Sequence, residues 1–199
     1  QIFRLSYPFI FSAILVTIYG QTDKIMLKSM VDFESVGLYS VSLTLAGAIS
    51  IIPAALIEGF RPEIMIYKVQ NEAKYKHRLR QLYGIVFWIC VLYCVFITIF
   101  SEPLIRLLYG EQYLAAVSSL SIIVWYTSFS YFGAINNMYM VAENKTFWVQ
   151  IITLLGAVLN VVLNFFFIPF CGIVGAAIAS LITQIFGNYI LMFLIKPIR

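Results

Sequence analysis

Four residues near the start of the chain, Thr17, Gln21, Lys24 and Lys28, follow one another at spacings of four, three and four. On a helix that spacing aligns them along one face. Two ammonium groups at the end of such a stripe are point charges suited to a diphosphate. The same lysines at a helix end can instead reach lipid headgroups along their apolar stems. Depth alone points to this second use, since a helix begun at Leu5 carries Lys24 about 28 Å along its axis. Asp23 is about 100° from Lys24 and off the stripe. A carboxylate at that depth is a candidate to exchange a proton or hold Na⁺, or else an interfacial charge neutralised by its neighbours. Glu58 and Arg61 are spaced to pair on one side of a helix before Pro62 disturbs it, as a gate or as anchors at a helix end.

Amides form a second group. Asn160 and Asn164 share a stripe with Thr153 and Ala157, while Asn136 and Asn137 are adjacent. Their paired donors and acceptors suit sugar hydroxyls, although bonding to a neighbouring helix is the commoner use of such residues. Ala176, Ser180, Thr183 and Gly187 form a small-residue stripe suited to close helix contact. Enzyme chemistry finds no such support. The single histidine, His77, lies among basic residues with no paired acids beside it. Cys90, Cys94 and Cys171 lack metal-ligand spacing and are expected to be buried packing residues. Neither a catalytic function nor a bound metal or cofactor is expected.

The elements that position these residues are apolar. The chain is 62% hydrophobic and 11% charged, with uncharged runs at Ser35 to Ile57, Gln81 to Ser101, Gln112 to Ala142 and Thr146 to Ile195. A bilayer core about 30 Å thick needs roughly 20 apolar residues per helix, so each run is long enough to cross. Thr146 to Ile195 would reach about 75 Å as one helix and must turn. Pro169 and Gly172 in FIPFCGIVG supply the break. Six helical spans are expected, at 5–27, 36–59, 82–101, 114–140, 146–168 and 173–195. Open strands leave backbone groups unsatisfied in hydrocarbon, and the runs alternate too little for a barrel. The fold class is therefore all-α, a single six-helix membrane bundle.

Six of the thirteen basic residues fall in RPEIMIYKVQNEAKYKHRLR, residues 61–80. Dividing Lys and Arg between the two sides of six spans puts ten with this stretch and three, Lys24, Lys28 and Arg106, opposite. By the positive-inside rule the stretch, written as loop 61–81, and both ends of the segment are cytoplasmic. The net charge of +4 then reports orientation, and no nucleic-acid partner is expected. Contact of the stretch with anionic membrane lipids and simple solvation both remain open. The first span shows no signal-peptide cleavage site, and the opening Gln is compatible with a start inside a longer protein.

The segment FFFIPFCGIVGAAIASLITQ at 165–184 resembles the NPxLIP-x-G-x-x-GAA type of junction found in polysaccharide-biosynthesis flippases of the multidrug, oligosaccharidyl-lipid and polysaccharide exporter superfamily. SYPFIFSAILVTIYGQTDKIMLKSM, VGLYSVSLTLAG and EPLIRLLYGEQYLAAVSSLSII resemble the family in order and spacing, and together they cover nearly the whole chain. The resemblance implies the C-terminal lobe of a two-lobe protein in a bacterial-type inner membrane. It implies translocation of an undecaprenyl-diphosphate-linked oligosaccharide by alternating access against an N-terminal lobe. It also favours a functional Asp23, because relatives place an acidic–basic pair where TDKIML stands. The alternatives are a multidrug or cation antiporter of the same superfamily, a membrane glycosyltransferase or polymerase, and a structural membrane subunit.

The charge division makes a direct prediction. A Cys at Lys76 should react with an impermeant thiol reagent from the cytoplasm, and a Cys at Glu111 from outside. Labelling of both from one side would exclude this topology.

Overall fold

The structure, a computed structural model, describes residues 20–190. Thr17, most of the expected first span and the end of the last lie outside the described residues. Helix α1 covers residues 20–30, α2 Phe33–Ala46, α3 Ile51–Gln70 and α4 Glu72–Leu108. A 3₁₀ helix at Glu111–Ala116 leads into α5, Val117–Ala142. Helix α6, Thr146–Ile185, passes into a π-helical turn at Phe186–Ile190. Among the described residues there is no strand, so the bundle is all-α.

Among the described residues, three stretches are long and apolar enough to cross a membrane: Glu72–Leu108, Glu111–Ala142 and Thr146–Tyr189. Helices α2 and α3, bent by 51° at the break between them, reach that length only as a pair, as one broken span or a re-entrant loop. The surface agrees with that reading. Trp88, Leu92, Phe96 and Ile99 of α4 and Leu154, Val158, Phe165 and Phe170 of α6 are all exposed, where a water-facing helix would carry polar groups. This is a multi-pass membrane protein.

Sequence expectations differ from the structure in three places. The second span, expected to be continuous over 36–59, is broken at residues 47–50, because α2 ends at Gly47 and α3 restarts at Ile51 with Pro53 in its first turn. The basic stretch 61–81 is helical except at Asn71, and Pro62 sits inside α3 without ending it. Lys, Glu, Arg and Gln are good helix formers, and the Asn71 side chain caps α4 by accepting from the Lys74 N–H at 3.0 Å. Cys171, expected to be buried, is exposed.

The expected reversal between the fifth and sixth spans is present. Gly172 adopts φ 52° and ψ −129°, a conformation open to glycine, and α6 doubles back on itself there. Asn160 donates to Ser180 Oγ at 3.2 Å, although a straight helix would hold them about 30 Å apart. Near the reversal the arms touch so closely that a Cβ on Gly175 would overlap the Phe167 carbonyl.

Packing divides along α4. Tyr75, Leu82, Val86 and Cys90 join a cluster with α3 and α5 toward the basic end. Cys94, Ile97 and Ile105 continue the same stripe into a second cluster with α1, α2, α5 and α6. Small polar contacts reinforce both. Ser42 and Ser119 hydroxyls lie 2.7 Å apart between α2 and α5, and Cys94 Sγ and Ser128 Oγ lie 2.9 Å apart between α4 and α5.

The basic end is largely self-neutralised. Arg61 pairs with Glu58, Lys68 with Glu143, Lys76 with Glu72 and Arg78 with Glu63. Tyr75 donates to Glu143 at 3.2 Å, and Lys68 stacks over the Tyr75 ring. The stretch is therefore a tied helical hairpin with few free cations.

The close arm contact predicts that Gly175→Ala destabilises the bundle by about 1–3 kcal/mol, the usual range for overpacking. Gly84→Ala, where an added Cβ meets nothing within 4 Å, should be close to neutral. Retention of folded protein in detergent on heating would compare them, and equal stability of the two variants would contradict the contact.

Candidate functional site

Asp23 shares its face of α1 with Leu27, which is wholly buried in the core, so the carboxylate points into the bundle. Three neutral groups from three other segments donate to it. Tyr39 Oη of α2 reaches Oδ2 at 2.8 Å, Ser180 Oγ of the second α6 arm reaches Oδ2 at 2.6 Å, and Asn164 Nδ2 of the first arm reaches Oδ1 at 2.6 Å. Asn164 also donates to Asn160 Oδ1 at 3.1 Å, and Asn160 donates to Ser180 Oγ. The result is a closed ring through Asp23, Asn164, Asn160 and Ser180.

Local chemistry explains the convergence. The turn between α1 and α2 is fixed by Asp32, whose side chain accepts from the Ser35 N–H at 2.7 Å. Asp23 and Tyr39 are equidistant from Val31, and Asn164 and Ser180 are equidistant from Gly172, in each case about 12 Å along a helix. All four side chains therefore reach one layer.

No ion pair involves Asp23 among the described residues, where its hydrogen-bond partners are neutral dipoles. Inside a low-dielectric bundle that is an incomplete substitute for water. Asn164 Oδ1 adds a second anomaly, being the buried side-chain oxygen left without a hydrogen-bond partner among the described residues. Carboxylate, amide carbonyl and hydroxyl oxygens within one layer are hard donors suited to a proton or a small hard cation. No cluster of three His, Cys, Asp or Glu side chains occurs among the described residues.

The structure brings Asp23, Asn160 and Asn164 together and leaves the lysine stripe elsewhere. Gln21 and Lys28 are exposed and Lys24 half-buried, with Lys28 Nζ 4.5 Å from the centroid of the Phe33 ring. Glu58 and Arg61 form a two-pronged pair at 2.6 and 2.8 Å on α3, Glu58 exposed and Arg61 half-buried, and neither bonds to Asp23. Tyr39 was missed in the sequence because its hydroxyl gives no pattern of its own, and Ser180 was read as packing. Reflecting polar residues about each turn would have found both.

Residues 1–118 match a family model described as "Polysaccharide biosynthesis protein". The chain belongs to this polysaccharide biosynthesis family. Asp23 and Tyr39 lie inside the matched stretch, whereas Asn160, Asn164 and Ser180 lie beyond it. No curated protein and no solved structure matches the chain significantly. Membership agrees with the resemblance read from the sequence and assigns a role in polysaccharide synthesis or export.

If Asp23 is ionised in the ring, the Tyr39 hydroxyl donates to a charge. Tyr39→Phe should then cost about 1.5–3 kcal/mol of stability. In an Asp23→Asn background the cost should fall to about 0.5–1.5 kcal/mol, as for a neutral acceptor. Unfolding titrations in mixed micelles would measure the cycle, and identical costs in both backgrounds would exclude a charged acceptor.

Proposed function

We propose that this chain is one lobe of a translocase that flips an undecaprenyl-diphosphate-linked oligosaccharide for surface-polysaccharide export, and that a Na⁺ ion or proton at Asp23 couples to the movement. The observation carrying this reading is the Asp23 carboxylate, held in the bundle by donors from three segments with no counter-charge paired to it among the described residues. Ionisable groups in membrane spans are costly and mark ion or substrate paths. A cation there neutralises the carboxylate, gains the spare Asn164 oxygen and changes the contact between α1 and both arms of α6.

Alternating access needs a second lobe facing the same substrate, an N-terminal lobe of the same protein in this proposal. Lys28, exposed on α1, and the half-buried Lys24 are then available to a diphosphate across that interface. Adjacent residues thereby link ion and substrate through one rigid helix. The Glu58–Arg61 pair on α3 is suited to open and close with the lobes as a cytoplasmic gate. No covalent step is assigned, and the membrane is a bacterial-type inner membrane with the basic end cytoplasmic. A drug exporter would offer its acid to a bulky cation, whereas both Asp23 oxygens are already engaged by close donors.

Deleting the gene should abolish surface polysaccharide, and the full-length wild type should restore it. Asp23→Asn at equal membrane abundance should reduce export at least about tenfold and remove its dependence on the Na⁺ or H⁺ gradient. Lys24→Ala should impair export through loss of a charge-assisted contact, with Lys24→Arg partly active and Lys76→Ala near wild type. Full export by Asp23→Asn would reject the coupling role.

A further inference from the structure

A second polar feature lies toward the basic end, away from Asp23. Helix α5 and the two arms of α6 enclose a cleft of about 220 Å³. Its polar lining is Ser130, Asn136, Asn137, Thr153, Thr183, Gln184 and Asn188, and among the described residues no ionisable side chain lines it. Glycines keep it open. At Gly133 an added Cβ would lie 2.6 Å from Asn188 Oδ1, and Gly156 and Gly187 face Thr183 and Ile152 across the arms.

The amides divide into two sets. Asn136 is consumed by the scaffold, accepting from Tyr83 and donating to the Asn188 carbonyl at 3.1 Å, and Asn188 Nδ2 donates to the Phe129 carbonyl at 2.8 Å. Asn137 and Gln184 make no side-chain hydrogen bond among the described residues. Asn137 is exposed and Gln184 half-buried, so the hydrogen-bonding groups of both amides are open to an occupant of the cleft.

We propose that this cleft binds one sugar ring of a glycolipid through its uncharged hydroxyls. Neutral amides and hydroxyls match a polyol, which needs both donors and acceptors. A phosphate-bearing headgroup finds no cation among the described lining residues to neutralise it. At about 30 Å³ per water the cleft holds the equivalent of about seven waters, the scale of one ring. Taking that ring from a lipid-linked saccharide rests on the translocase reading, whereas the sugar chemistry rests on the cleft alone.

The test uses full-length protein in lipid nanodiscs and three probes: undecaprenyl diphosphate bearing one N-acetylglucosamine, the bare carrier, and glucosyl diacylglycerol. Wild type should bind the glycosylated carrier about tenfold more tightly than the bare one, a gap of two neutral hydrogen bonds. An Asn137→Ala, Gln184→Ala double variant should close the gap and leave bare-carrier binding unchanged. A gap that survives, or none in wild type, overturns the sugar site. If the double variant loses bare-carrier binding as well, Ala134→Phe makes the same comparison, filling the cleft from an exposed position without removing any hydrogen bond. If wild type binds neither carrier, the translocase reading falls and glucosyl diacylglycerol decides. Saturable binding lost in the variant keeps the cleft as a sugar site for a neutral glycolipid, and absence of binding overturns it.

Discussion

A carboxylate among membrane-spanning helices has to be solvated by the protein, because the bilayer offers no donors. Asp23 meets this requirement with three donors from segments that lie 16, 141 and 157 residues away in the chain. Each must arrive at the same depth, and a shift of one helical turn, about 5.4 Å, would break any of these bonds. The capped turn before α2 and the reversal at Gly172 therefore act as depth gauges. Gly175 completes the second gauge, since only a residue without a Cβ lets the arms approach closely enough for Asn160 and Ser180 to meet.

The two ends of the bundle solve different problems. Around Asp23 a carboxyl group is met by neutral donors from three segments. At the basic end, charges are paired within the hairpin of α3 and α4, and Lys68, Tyr75 and Glu143 tie that hairpin to the end of α5. Between them α4 is a continuous buried stripe from Tyr75 to Ile105. The α6 hairpin runs past both regions. Its first arm carries Asn164 and Asn160 to the ring and Thr153 to the neutral cleft, and its second arm carries Ser180 to the ring and Gln184 to the cleft.

Much of this was legible in the sequence where a local rule applied. Apolar runs longer than a bilayer crossing announced the helices, and proline with glycine in an otherwise unbroken run announced the reversal. Glu58 and Arg61 pair as an i,i+3 spacing predicts. The site was only half legible. Asp23, Asn160 and Asn164 stood out because polar side chains are rare in such runs, yet nothing local says that residues 141 positions apart touch. The lysine stripe attracted attention through its regular spacing, although regular spacing defines a face and does not say which way it turns. Leu27, buried in the core on the Asp23 side, settles that orientation. The break within the second span was hidden because Gly47 and Pro53 are separated by a run of small and apolar residues that reads as continuous helix.

In the proposed cycle the energy available from the ring sets how strongly an ion can drive the lobe. Hydrogen bonds to a charged group contribute about 1.5–3 kcal/mol each, so three such bonds represent several kcal/mol held in the contact of α1 with α2 and α6. Moving a two-state equilibrium from 1:99 to 99:1 takes a differential affinity of about 5.5 kcal/mol. An ion that replaces these bonds in one state and leaves them in the other can supply a bias of that order. It can do so only if its affinity differs between the states, since equal binding shifts nothing. The spare Asn164 oxygen provides such a difference, being available to a cation only while the first arm of α6 stays beside Asp23. Because that arm also lines the neutral cleft, displacement of the arm would alter both sites, and linkage would make their affinities depend on one another.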